Sequence, residues 1–107
     1  MAVSVTDTDA GNVAVDNTTG GAGTLYSVEI DNSANGSAVY FKLANTADAT
    51  AGTTAADVVL MCPGNNKVNY VFVSGLSFDV GFSHWCVTAA AESSTGDPGS
   101  AVIVRYI

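Results

Sequence analysis

The 107-residue sequence predicts an all-β domain: a single antiparallel β-sandwich, jelly-roll or Greek-key-like, of about eight strands, preceded by an N-terminal arm or edge hairpin. Three observations carry this expectation. No segment places apolar residues at helical spacing. Short stretches of period-two alternation recur along the chain. Turn-forming groups such as Asn35-Gly36, Pro63-Gly64 and Asp97-Pro98-Gly99 separate them, the pattern of a sandwich or barrel. The length suits one domain with a core that needs no staples.

Residues 1–23 read as the arm or edge hairpin, with weak small-residue strands AVSVT and NVAVD around DTDAGN. TTGGAG then reads as a flexible joint. Such an arm either packs on its own domain or reaches a neighbour. Residues 24–107 form the sandwich. In LYSVEID, Tyr26, Val28 and Ile30 alternate with Ser27, Glu29 and Asp31, the mark of a half-buried strand. Asn35-Gly36 reads as a two-residue hairpin turn, since both residues tolerate positive φ. The return strand would set Val39, Phe41 and Leu43 on one face and Ala38, Tyr40 and Lys42 on the other.

DVVLMC is a strand ended by Pro63-Gly64. KVNYVFV follows, apolar on both faces, which implies a central position or a covering neighbour. LSFDVGF keeps strict alternation. Continued past Gly81, that register would turn Trp85 and Val87 outward. A break at Gly81 is therefore expected, shifting the register and leaving Trp85 and Val87 in the core. AVIVRYI closes the chain as a strand that must be paired.

Composition excludes several functions. Charged residues are 12%, against about 25% in ordinary soluble proteins. The only Lys and Arg are Lys42, Lys67 and Arg105, and ten acids bring the net charge to −7. Nucleic acid and anionic membrane surfaces both require clustered cations, so neither is an expected partner. No apolar run reaches membrane-helix length, and MAVSVTDTDAG lacks the cationic start and apolar stretch of a signal peptide. A chain with a mean hydropathy of +0.30 and so few charges is expected to hide surface against other subunits.

No residue pattern points to catalysis or to a cofactor. His84 and Cys86 share a strand phase, and zinc would need Cys62 and Asp79 besides. No C-x-x-C spacing supports that, so His84 is read as structural. Asp7, Asp9 and Asp16 lack the further ligands of a calcium loop, and no nucleophile elbow or phosphate-cradling loop is present. The cysteines read as free, buried thiols. The interface candidates are Tyr40, which lies off the apolar face of its strand, and Thr50, Thr53 and Thr54. These threonines belong to ANTADATAGTTAAD, residues 44–57, which lacks an apolar stripe. That segment reads as a loop crossing between the two sheets, with Asp48 and Asp57 capping its turns.

VYFKL at 39–43, TAGTTAAD at 50–57, VVLMCPG at 58–64 and VNYVFVSGLSF at 68–78 together resemble small all-β structural proteins of tailed bacteriophages. The likeness spans about residues 25–107. It implies a virion component: a capsid decoration or cement protein on the outer capsid surface, made in the host cytoplasm. Its implied partners are its own copies, as a homotrimer, and the major capsid protein. The alternative is a tail, fibre or receptor-binding β module, of which a carbohydrate-directed one is a form.

Overall fold

A computed structural model describes residues 4–107; Ala2 and Val3 of the expected AVSVT strand lie outside the described residues. The described chain is all-β, with seven strands: β1 (Val5–Ala10), β2 (Gly23–Asp31), β3 (Val39–Asn45), β4 (Val58–Cys62), β5 (Lys67–Phe78), β6 (Phe82–Val87) and β7 (Val102–Tyr106). They form two antiparallel sheets, ordered β1-β7-β2-β5 and β4-β3-β6. The sheets pack face to face. Leu25, Val28, Ile30, Val102 and Val104 of the first meet Val39, Phe41, Leu43, Cys62 and Phe82 of the second in one apolar core. All but Leu25 fall on one phase of their strand, as alternation requires. The β2 bulge between Leu25 and Ser27 resets the phase, so Leu25 faces the core and Tyr26, expected inward with Val28 and Ile30, is exposed.

The segment expected as an arm or edge hairpin packs on its own domain. β1 is the edge strand of the four-stranded sheet, paired with β7 from Val5 opposite Tyr106 to Ala10 opposite Val102. Residues 11–18 then run along the free edge of β6. Val15 and His84 exchange both backbone hydrogen bonds, Thr18 donates to Phe82 O, and Gly11 O accepts from Cys86 N.

Two expected connections trade roles. β2 and β3 form no Asn-Gly hairpin; they belong to different sheets, and residues 32–38 cross between them. The physical reason is side-chain hydrogen bonding. Asn32, fully buried, donates through Nδ2 to Ser37 O, Cys62 O and Pro63 O, and its Oδ1 accepts from Asn35 Nδ2. Asn35 in turn exchanges hydrogen bonds with the backbone of Ser100. Neither Asn35 nor Gly36 has positive φ, so the primed hairpin geometry is absent. Conversely, residues 46–57, expected to cross between sheets, join β3 to its direct neighbour β4 and fold back over the outer face of their own sheet. Replacing Asn32 with alanine leaves three carbonyls without that donor and is expected to cost about 2 kcal/mol, measured as a shift in denaturation midpoint.

The break expected near Gly81 is present. β5 ends at Phe78 and β6 resumes at Phe82 in the other sheet, with Gly81 at φ +144°. A Cβ there would lie 2.6 Å from Asn17 Oδ1. The register, however, does not shift. Phe78, Phe82 and Cys86 all face the shared core, while Trp85 and Val87 face the other way. They are buried because a second apolar layer covers them.

Candidate interaction surfaces and the buried polar chain

The loop at 46–57 forms that second layer. Ala49, Ala51 and Ala56 pack with Ala44, Val87 and Ala14 around Trp85, which is 1% exposed. Small side chains are needed here because the loop backbone lies close above the indole. Asp16 fastens the loop by accepting from Ala49 N at 2.9 Å, and Asp57 accepts from Asn45 N at 2.7 Å. The Trp85 Nε1–H is buried without a hydrogen-bond partner.

The four interface candidates sit on or beside this cover. Thr50 O accepts from the backbone N–H of Thr53 and Thr54, and the Thr54 hydroxyl accepts from Thr50 N. The turn leaves Thr50 and Thr53 exposed and Thr54 half-buried. Tyr40, half-buried, lies opposite Met61 and Val87 on the same outer face. Beyond it Val59 and Met61 are exposed. Lys42 shares that face but is buried under the 88–96 segment, where its Nζ donates to Ala91 O at 2.7 Å. Burial pulls its pKa below the ordinary lysine value, and Glu92 opposes the shift.

His84 is structural in a way that its sequence neighbours do not reveal. Its ring lies in the shared core against Phe41 and Tyr106 and is 1% exposed. Nε2 stands 2.8 Å from Asp7 Oδ2 and Nδ1 stands 2.8 Å from the Tyr106 hydroxyl. That hydroxyl also bonds the Thr18 hydroxyl, which lies 2.9 Å from Phe82 O. A carboxylate only accepts, so Nε2 carries the proton toward Asp7. The chain of bonds ties β1, β6, β7 and the 11–18 segment together. Burial lowers the His84 pKa, and the hydrogen bond and charge of Asp7 oppose this. Burial likewise pushes the Tyr106 hydroxyl up to about 12.

The other suspected ligands are dispersed. Asp79 is exposed and accepts from Asn45 Nδ2. Cys62 and Cys86 are both free and buried, on the two strands that flank β3. They pair with Val39 and Phe41, two residues apart on β3, so strand spacings of about 4.8 Å and that offset put their Cα atoms roughly 12 Å apart, beyond the roughly 7 Å reach of a disulfide. Burial raises both thiol pKa values, Cys86 to about 12, so neither is a ready nucleophile. Among the described residues, Asp7 with His84 is the one side-chain pairing in this set that the fold brings together.

No family model, curated protein or solved structure matched the chain.

Proposed function

We propose that the chain is a structural protein of a bacteriophage virion. In this reading it is a capsid decoration (cement) protein that binds the outer surface of the shell together with its own copies and stabilises it. The observation that carries the reading, beside the sequence resemblance, is the order of strand pairing. Residues 11–18 line β6 as an eighth, degenerate strand. Counted so, the first strand pairs with the eighth, the second with the seventh, the third with the sixth and the fourth with the fifth. We read this order as one long antiparallel hairpin rolled upon itself, the jelly-roll pattern that recurs in viral capsid and lectin domains.

Fold likeness does not by itself carry function, and the side chains lend separate support. The histidine and both thiols, the groups best suited to catalysis, are sealed in the core, so the reading is of a protein without enzymatic activity. The surface instead offers exposed valines, isoleucines and threonines suited to contact with other subunits. A cement bridging neighbouring capsomers stabilises the assembled shell by mass action, because it binds the closed form and not its separated parts.

The lectin occurrence of the same architecture, with Tyr26 as an exposed ring, favours the receptor-binding alternative. Fractionating purified virions distinguishes the two. The expected result is this chain in the head fraction, at a copy number matching a repeated site on the capsid lattice. Shells stripped of it should rupture at lower temperature and regain resistance when it is added back. Finding the chain confined to the tail rejects the decoration reading.

A further inference from the structure

The outer face of the four-stranded sheet differs electrically from the rest of the molecule. Its charged side chains are Arg105 on β7, Glu29 and Asp31 on β2, Lys67 on β5 and, at the β1 edge, Asp9. Glu29 lies opposite Arg105, and Asp31 lies opposite Lys67, with an ion pair at 3.6 Å. The four charges on β7, β2 and β5 cancel, and Asp9 leaves the face with a net charge of −1. The other seven acids, together with the buried Lys42, account for the rest of the net charge of −7. Like-charge repulsion between two copies meeting by this face is therefore small.

One end of the face is apolar. Ile107 exchanges backbone hydrogen bonds with Ser27, which lies opposite Val71. Tyr26 and Val73 adjoin that row. Val71 is 62% exposed and Val73 93%. Between the Ser27–Val71 and Leu25–Leu76 pairs, β5 carries residues 72–75 against Tyr26 alone. Gly75 takes φ +77° within this excursion. Such an arch spoils the β5 edge as a template for strand addition, which directs association to the face and away from the edge.

We propose that two copies of this chain stack these outer faces against each other about a two-fold axis. The face is complementary to itself. Arg105 and Glu29 occupy one row on neighbouring strands, so an axis running along the sheet between β7 and β2 sets each Arg105 over the other copy's Glu29. The same operation lays apolar end on apolar end, as an isologous contact requires. The pairing is a property of the chain alone and goes beyond the virion reading. It replaces the threefold self-assembly that the resemblance implies.

Sedimentation equilibrium on the full chain tests it. The expected result is a dimer whose dissociation constant rises about 100-fold in Val71→Asp and about tenfold in Arg105→Glu. The double variant Arg105→Glu/Glu29→Arg should recover most of the latter loss. All three variants should unfold as single-copy proteins at nearly the wild-type midpoint, since the altered side chains are exposed. A wild-type monomer at every soluble concentration overturns the proposal. So does a trimer, or a dimer indifferent to both Val71→Asp and Arg105→Glu.

Discussion

Trp85→Ala is expected to lower the stability of the domain by about 3–5 kcal/mol, the usual cost of emptying a large aromatic site in a core. The indole is the centre of the second apolar layer, and the groups around it are alanines and Val87. Alanine methyls hold little spare volume, so the loop cannot collapse into the vacated space without abandoning the hydrogen bonds from Ala49 N to Asp16 and from Asn45 N to Asp57. Local unfolding of residues 46–57 should therefore accompany the loss of global stability. Hydrogen exchange resolves the two: amides of the loop should exchange faster than those of β2 and β7 relative to wild type. Trp85→Phe should retain most of the stability, because it removes an indole N–H that is buried without a partner and offsets part of the lost area. Equal loss in the phenylalanine and alanine variants would sink this account of the layer.

The burial of Trp85 marks where local pattern stops informing. Alternation in β7 and in residues 28–31 of β2 was legible because each buries one face, and period two is a local property. It failed at Tyr26, where a bulge resets the phase, and in β3, which is buried on both faces. Which strands pair is not local. Asn35-Gly36 carries the strongest short-range hairpin signal, yet the amide of Asn32 finds three backbone carbonyls, two of them about thirty residues away, and the chain crosses to the other sheet. Phase alone turned Trp85 outward, which was correct. The mistaken step was to equate outward with exposed. A loop of alanine, threonine and glycine shows no stripe by which a sequence announces a docking layer, because the alanines that touch Trp85 are spaced by turn geometry. The Asp7–His84 bond spans 77 residues, and nothing beside either residue hints at the other. Among the interface candidates, Tyr40 was placed by alternation; the nearly neutral outer sheet was not foreseen, because its charges come from four strands that only the fold assembles.

That same long-range bond underlies the second large effect. His84→Ala is expected to cost about 3 kcal/mol, because it strips the Asp7 carboxylate and the Tyr106 hydroxyl of their shared partner in a largely dehydrated site. It also frees β1 from the core, so residues 5–10 should lose exchange protection along with β7, their ladder partner. His84→Gln keeps two polar ends and should lose less. The two variants also separate packing from titration. Burial holds the His84 pKa below its ordinary value of about 6.5, with Asp7 only partly compensating. The unfolded chain therefore binds a proton more readily than the folded one. The stability that neutral His84 contributes is fully present above about pH 6.5 and is lost progressively as the pH falls below that value toward the folded pKa. Denaturant unfolding between pH 7.5 and about 5, above most of the carboxylate range, should show wild-type stability falling with pH, and His84→Gln should flatten that slope. An equal slope in both proteins would mean that the acid sensitivity arises elsewhere and that the imidazole is not held neutral by its burial.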